Sequence, residues 1–327
     1  MSDAGDTQAT VPTASDGRRQ TRVSERPLVS AIIIFLDAER FLDEAIVSVF
    51  AQTHRDWELL LVDDGSRDRS TAIARGHAAR HPARVHYLEH PGHENRGMSA
   101  ARNLGVRAAR GRYVAFLDAD DTWLPTKLAE QVAVLETHPE AAMVYGRTII
   151  WHGWTGRPED VGRDHVLDLG VPPNTLIRPP TLFYLLLDNK VQTPTTCNAI
   201  IRRDVLERVG GFEESFRARY EDQAFFFKVH LAWPVFVADT VWARYRQHPQ
   251  SCSETSSDEQ YHRGRRPLLE WLAAYLAGQG IAADSAIARA VERELWPARH
   301  PTLHWMLTAP RRLAGGVRDR MGAGRRV

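Results

Sequence analysis

Acidic residues gather where three predicted strands of this chain end. Asp37 and Glu39 lie just beyond the first strand, Asp63-Asp64 close the second, and residues 118–121 close a later one. Because the ligands of an open parallel sheet bind outside the carboxyl ends of its strands, these acids would share one rim. An unpaired buried carboxylate is costly, so strand interiors rarely hold such clusters without a partner. The pattern therefore predicts a site for a cation or a polar ligand.

The Asp118 and Asp120 pair has the most informative spacing. Residues two apart in an extended chain point to the same side, so the two carboxylates would converge and repel unless a cation or a donor joins them. Oxygen ligands suit Mg²⁺ or Mn²⁺, and such an ion could bridge a diphosphate. Alternatively, these acids cap the next helix or form a solvated turn. Their position between the buried run YVAFL and the segment TWLP favours the metal site.

The segment Asp63-Asp64-Gly65-Ser66 also allows two interpretations. Gly65 permits a tight turn and Ser66 could cap a helix, which would make the segment structural. The functional interpretation is that a carboxylate binds a nucleobase N–H or a ribose hydroxyl. Residues 32–41 contain no glycine and no GxxxxGK[ST] motif is present, which disfavours a dinucleotide site and a P-loop. A glycine-rich loop with Arg and Lys is absent too, which disfavours a sugar nucleotidyltransferase.

Alternating apolar patterns predict the elements that position these acids. Continuous apolar runs are typical of strands buried on both faces, and they occur at 28–36, 57–64, 84–90, 112–121 and 141–146. Segments of helical periodicity separate them. This order predicts right-handed βαβ units and a Rossmann-like α/β fold, in which helices flank a mostly parallel sheet. The pattern is less regular after residue 150 and becomes helical from residue 262.

Composition excludes several classes of protein. The 327 residues carry 42 basic and 41 acidic side chains, a balance that gives no reason to expect a nucleic-acid partner. The two cysteines, Cys197 and Cys252, lie too far apart for a disulfide scaffold or a structural zinc site. No apolar run approaches the roughly 20 residues that span a bilayer. Residues 1–27 lack the apolar core of a secretory signal, so we expect a flexible tail there and a cytoplasmic protein.

Five segments of the chain together resemble the family 2 glycosyltransferases of the GT-A fold. In order, they are VSAIIIFLDAERFLDEAIVSVFAQTHRDWELLLVDDGSRDRS, ENRGMSAARNLGVRAARGRYVAFLDADDTWLPTKL, AIIRRDVLERVGGFEESF, YEDQAFFFKV and ARYRQHPQSCS. The similarity runs from about residue 28 to 252. It implies an inverting transfer of a sugar from a nucleotide-diphosphate sugar to a hydroxyl of a glycan, lipid-linked or other acceptor. It also implies a divalent metal cofactor, Mn²⁺ or Mg²⁺.

The resemblance assigns roles to individual residues. Asp222 of the Glu221-Asp222 pair matches the catalytic base, although it could instead cap a helix. Asp120 matches the metal ligand, Asp121 is a close alternative, and His248 is either a further ligand or a packed histidine. The residues implied in nucleotide-sugar binding are Ile34, Leu36, Glu39, Asp64, Arg102, Asp118 and Asp120. Ile34 and Leu36 replace the usual Pro of the family and the aromatic residue that stacks on the nucleobase. The identity of the donor's nucleobase therefore stays open.

The resemblance also suggests a division of the chain. We expect a GT-A domain at 28–255, with a nucleotide-sugar half at 28–147 and an acceptor half at 148–255. Residues 256–327 would form a basic helical extension, since 262–327 contains 12 Arg against 5 acidic residues. Apolar residues interleaved with Arg in its tail could lie on the anionic inner face of a membrane, or pack as a helical subdomain.

A function from a different class is a non-catalytic GT-A module that binds a nucleotide or a protein partner. Such a module would be marked by loss of the Asp118 and Asp120 pair (the DxD pair) or of the catalytic base. Asp118, Asp120 and Asp222 are all present, which favours the enzyme.

Overall fold

The computed structural model describes residues 27–217, 219–249, 251, 258–303 and 306. Most of the expected N-terminal tail, residues 1–26, and the tail of the basic extension, residues 307–327, lie outside the described residues. Within this part of the chain the strands are β1 (Val29–Phe35), β2 (Trp57–Asp63), β3 (Val85–Glu89), β4 (Tyr113–Asp118), β5 (Thr122–Trp123), β6 (Met143–Trp151), β7 (His165–Val166), β8 (Thr175–Ile177), β9 (Ile200–Arg202) and β10 (Val235–Arg246).

All these strands join one sheet in the order β3-β2-β1-β4-β9-β6-β10-β5, with β7 paired to β6 and β8 to β10. The first four in this order are mutually parallel, as βαβ connections require. Every residue of β1 and β2 is buried, in agreement with the continuous apolar runs. This half of the sheet confirms the predicted α/β fold.

The second half of the sheet is mixed rather than parallel. The short strand β9 runs antiparallel to both β4 and β6, and β10 is parallel to β6 but antiparallel to β5 and β8. Strands of two or three residues are too short to carry a detectable period in the sequence. The region after residue 150, where the sequence pattern is less regular, is not without secondary structure: β6 continues to Trp151, and a short helix and β7 follow.

Helices cover both faces of the sheet. They are α1 (Leu42–Phe50), α2 (Ser70–Arg80), α3 (Met98–Ala108), α4 (Lys127–Thr137), α5 (Pro158–Val161), α6 (Thr181–Leu187), α7 (Arg203–Arg208), α8 (Glu221–Ala232), α9 (Asp258–Gly278) and α10 (Ala286–Arg299). Alternate residues of β1 enter opposite cores. Ile32 and Ile34 pack on the face covered by α3 and α8, whereas Ala31 and Ile33 pack with α1 and α4.

The C-terminal helices α9 and α10 share the core of the α/β domain. Leu272 and Leu276 of α9 and Leu295 of α10 are fully buried in the cluster that contains Phe226 and Phe227 of α8. The basic extension is therefore helical where it is described, and it is packed against the domain. None of the described helices is both long and apolar enough to cross a bilayer.

Candidate active site

The carboxyl ends of β1, β2 and β4 bring the predicted acids to one rim. Ile34 is in register with Asp118 across the β1–β4 pair, and Phe35 is in register with Asp63 across the β1–β2 pair. Because β2 ends at Asp63 and β4 ends at Asp118, Asp64 and Asp120 lie just beyond the carboxyl ends of these strands. This rim is the edge of the sheet outside which open α/β folds bind their ligands.

Asp64 holds the loop that leads into α3. Its carboxylate accepts hydrogen bonds from the backbone N–H groups of Arg96, at 2.8 Å, and of Gly97, at 2.9 Å. Gly97 adopts a φ of 91°, which favours glycine, immediately before the first turn of α3. The Nε2 atom of His90 lies 3.8 Å from the same carboxylate. Asp64 thus lies at the rim with its position set by two backbone donors.

Its neighbour Asp63 is fully buried and has a structural role. The Asp63 carboxylate accepts from the backbone N–H of Ser66 at 2.8 Å and from the hydroxyls of Thr71, at 2.5 Å, and Tyr87, at 3.1 Å. These bonds fix the turn after β2. The structural interpretation therefore holds for Asp63, which builds the turn, but Ser66 does not cap α2, which begins at Ser70. Binding of a nucleoside by Asp64 stays a prediction.

A buried arginine joins the DxD segment to the start of α8. The Nη2 of Arg102 donates to Asp118 Oδ1 at 2.8 Å, and its Nη1 lies 3.4 Å from Glu221 Oε1. Its side chain is only 2% exposed. Burial alone would lower the pKa of Arg102, but the charges of Asp118 and Glu221 raise it above its usual value. Asp118 Oδ2 also accepts from the Thr196 hydroxyl at 3.2 Å.

Asp222 lies in the first turn of α8, beside Glu221. The preceding Tyr220 has a φ of 65°, a left-handed conformation that is uncommon for a residue with a side chain and often marks a functional site. Asp222 Oδ1 accepts from the backbone N–H of Gln223 at 2.7 Å. Burial, followed by the charge of Glu221, raises the pKa of Asp222 to about 7. Asp222 still retains partial exposure, so its carboxyl can meet a ligand and accept a proton near neutral pH.

The second acid of the DxD pair contacts a histidine from the far end of the sheet. Asp120 Oδ2 lies 3.0 Å from His248 Nε2, and the Asp120 side chain is 30% exposed. One carboxylate oxygen and one imidazole nitrogen form a donor set that suits Mn²⁺. No group of three His, Cys, Asp or Glu side chains within the described ranges could hold a metal ion. A metal here would need further ligands from a substrate or water.

Asp121, the alternative metal ligand, is fully buried below this pair. Its Oδ1 accepts from the backbone N–H of Arg246 at 2.9 Å, whereas its Oδ2 has no hydrogen-bond partner. Burial, and then the charges of Asp120 and Asp118, raise the pKa of Asp121 well above its usual range. Asp120 is therefore the carboxylate of the two that a metal can reach from solvent.

The Arg246 guanidinium packs within an aromatic cluster next to the rim. It lies 4.4 Å from the Trp151 ring, 4.7 Å from the Phe41 ring and 5.3 Å from the Trp154 ring. It also donates to Glu44 Oε2 at 2.6 Å. Three aromatic rings and an ion pair thus hold the end of β10, two residues before His248. No pattern in the sequence predicts that these aromatic residues pack around Arg246, because they are distant from it along the chain.

Of the residues predicted at the end of β1, Ile34 pairs with Asp118 across the strands, and Leu36 and Glu39 follow it along the chain. Ile34 is buried within β1, and Leu36 is 45% exposed just beyond it. The Glu39 carboxylate accepts from the backbone N–H and the Nε of Arg69, at 3.0 and 3.2 Å. The structure therefore joins Asp118, Arg102, Glu221 and Asp222 in one charged cluster. Glu221 is the member of that cluster that sequence reasoning did not single out.

The family model described as "Glycosyl transferase family 2" matches residues 30–210. The chain belongs to glycosyl transferase family 2. The family segment covers β1 to β9 and includes Asp64, Arg102 and the DxD pair. Asp222 and His248 lie beyond it.

Comparisons with known proteins agree with this family. An uncharacterised glycosyltransferase of Nostoc sp. is 34% identical over 182 residues, which are 55% of this chain and 52% of that protein. Residues 1–349 of S. aureus TarS, in complex with UDP-GlcNAc, have a TM-score of 0.56 at 18% identity, over 84% of this chain and 73% of that one. The mannosyltransferase PcManGT of Pyrobaculum calidifontis, in complex with GDP-Man and Mn²⁺, has a TM-score of 0.52 at 20% identity, over 91% of this chain and 82% of that one. These structures share the fold, and the chain spans about half the length of the Nostoc relative.

Proposed function

We propose that this protein is an inverting, metal-dependent glycosyltransferase that moves a sugar from a nucleotide-diphosphate sugar to an acceptor hydroxyl. The observation that carries the proposal is the charged cluster at the strand ends. Arg102 links the DxD residue Asp118 to Glu221, the neighbour of Asp222, whose pKa is raised to about 7 by burial and by the Glu221 charge.

Asp222 is the proposed general base. As the acceptor oxygen attacks the anomeric carbon, its O–H bond breaks and the proton passes to the Asp222 carboxylate. The bond from the anomeric carbon to the diphosphate breaks in the same step, and the nucleoside diphosphate leaves with the electron pair. A single displacement of this kind inverts the configuration at that carbon. A base with a pKa near neutrality suits this role, because it is ionised at working pH and still binds a proton well.

The donor would bind along the rim. Asp64 is proposed to contact the nucleoside, and Asp118 to orient the sugar-diphosphate side, with Ile34, Leu36 and Glu39 bordering the nucleoside pocket. Asp120 and His248 would hold Mn²⁺ or Mg²⁺, whose chemistry when bound is to stabilise negative charge on the leaving diphosphate. PcManGT, which shares the fold, carries Mn²⁺ and a nucleotide sugar. The chemistry of the two protein ligands fits such an ion.

The acceptor would be a glycan, a lipid-linked saccharide or another hydroxyl compound.

We propose that the C-terminal end of the chain contacts an anionic membrane. Leu303 and Met306, three residues apart after α10, are 53% and 56% exposed. Residues 307–327 add six Arg and one acidic residue. Exposed apolar side chains next to a basic segment favour binding to anionic lipid. Pelleting with phosphatidylserine vesicles at low salt, but not with neutral vesicles, is the expected result; equal pelleting with neutral vesicles would contradict it.

The decisive experiment measures donor use and transfer. Purified protein is screened by thermal shift against UDP-, GDP- and dTDP-sugars with Mn²⁺, and the stabilising donor is then offered to candidate acceptors. We expect Asp222→Asn to lower turnover by about 10²–10⁴-fold while donor affinity stays near that of the wild type. The control is Asp204→Asn, an exposed aspartate at the same position in the first turn of α7. Wild-type turnover by Asp222→Asn would remove the base, and donor binding without hydrolysis or transfer would favour a non-catalytic module.

A further inference from the structure

Arg102 directs its guanidinium to protein carboxylates. Its two terminal nitrogens lie 2.8 Å from Asp118 and 3.4 Å from Glu221, and its Nε is buried without a hydrogen-bond partner. The ring of Phe212 lies 5.2 Å from the guanidinium. A side chain that is 2% exposed and surrounded in this way has little surface to offer a nucleotide. Its partners indicate a role inside the protein.

The neighbouring contacts of α3 explain why the guanidinium reaches α8. Asn103, the next residue, donates from Nδ2 to the Phe212 carbonyl at 2.9 Å, and its Oδ1 accepts from the Phe212 backbone N–H at 2.8 Å. Ser99, one turn earlier, contacts the Phe216 carbonyl at 3.4 Å. Helix α3 is thus bonded to the loop that precedes α8. Arg102 continues this contact into the active site.

We propose that Arg102 is a positioning residue, which ties the DxD strand end to the start of α8 through Asp118 and Glu221 and sets the charge that surrounds Asp222. The inference rests on the proposed role of Asp222 as the base. It assigns to Arg102 contacts within the protein in place of contact with the donor.

The signs of the surrounding charges make the proposal specific. The charged groups that face Asp222 come from three elements: Glu221 on α8, Asp118 at the end of β4, and Arg102 on α3. The two carboxylates oppose ionisation of Asp222 and the guanidinium favours it. Removing the cation should therefore make Asp222 hold its proton more tightly, and removing the Glu221 charge should have the opposite effect.

Two substitutions remove charges of opposite sign from the same contact. Arg102→Met removes the cation, and Glu221→Gln removes one anion. Arg102→Lys keeps the cation, and Arg107→Met, an exposed arginine on the same helix, is the matched control. The Asp222 titration is followed by ¹³C NMR of aspartate-labelled protein, assigned with Asp222→Asn. The acid limb of the pH profile of transfer is measured in parallel.

We expect the Asp222 titration to move up by about one pH unit in Arg102→Met and down by a similar amount in Glu221→Gln. Arg102→Lys should stay close to the wild type, as should Arg107→Met. The acid limb of transfer should follow the titration in each variant. A role limited to structural support would lower activity in Arg102→Met without moving the Asp222 titration in opposite directions in the two variants.

The proposal is overturned if the Asp222 titration moves in the same direction in Arg102→Met and Glu221→Gln. It is also overturned if the titration in these two variants equals that in the control Arg107→Met. If Arg102→Met does not fold, Glu221→Gln alone decides, since an unchanged titration in that variant refutes the proposal. Opposite shifts in the titration, together with a wild-type protein that transfers no sugar, would instead support the electrostatic role of Arg102 and contradict the proposed function.

Discussion

Replacing the Asp222 carboxyl with an amide should stabilise the folded protein at alkaline pH. Burial and the Glu221 charge raise the pKa of Asp222 to about 7, from an ordinary value of 3.8. Between these two pH values the folded state binds more protons than the unfolded state, so the contribution of Asp222 to the free energy of unfolding falls as pH rises. This contribution is fully present below the lower value and is lost through the upper one. Asp222→Asn removes that pH-dependent loss.

The structure limits the size of this effect. The interval between 3.8 and about 7, at about 1.36 kcal/mol per pH unit, sets an upper limit of about 4 kcal/mol. Asp222 is partly exposed, and solvent screens such interactions, so we expect about 2 kcal/mol. A proposed catalytic carboxyl would thus cost stability, as strained or desolvated active-site groups often do.

Urea unfolding of the wild type and of Asp222→Asn at pH 4, 6 and 8 measures the difference. The free energy of unfolding of the variant, relative to the wild type, should rise by about 2 kcal/mol from pH 4 to pH 8. Asp204→Asn, whose exposed carboxyl lies 3.5 Å from the exposed Arg208, should show little change. A difference between Asp222→Asn and the wild type that is the same at all three pH values would refute the raised pKa, and with it the desolvated base.

Two further predictions concern packing and metal binding. Gly105→Ala should destabilise the protein by about 1–3 kcal/mol, because the added Cβ would lie 2.6 Å from the Ile32 Cγ2. The control Gly76→Ala, in a helix with open space around the added Cβ, should be neutral or stabilising by up to about 1 kcal/mol. Denaturant unfolding tests the pair, and an equal effect of the two substitutions would contradict the close approach of α3 to the sheet. His248→Ala should weaken Mn²⁺-dependent donor binding by about tenfold without changing metal-free binding, as measured by calorimetry, since it removes the partner of Asp120. Unchanged metal dependence would exclude His248 as a ligand.

Much of the N-terminal half could be predicted from the sequence. The continuous apolar runs identify β1, β2 and β4, because the side chains of a strand buried on both faces are apolar at nearly every position. The acids that follow these strands must then share a rim, because parallel strands end at the same edge. In the mixed half, β9 has three residues and its two antiparallel pairings leave no trace in local periodicity.

The amino-acid sequence alone determined the types of the candidate residues and the place of the acids that follow β1, β2 and β4. Their pairing was decided only by the tertiary structure. Arg102 and Glu221 are 119 residues apart, and Asp120 and His248 are 128 residues apart. Local sequence sets turns, strands and helices, whereas contacts over such separations depend on how α3, α8 and β10 pack around the sheet. For the same reason, the pKa of Asp222 is raised by burial and by neighbours that exist only after folding.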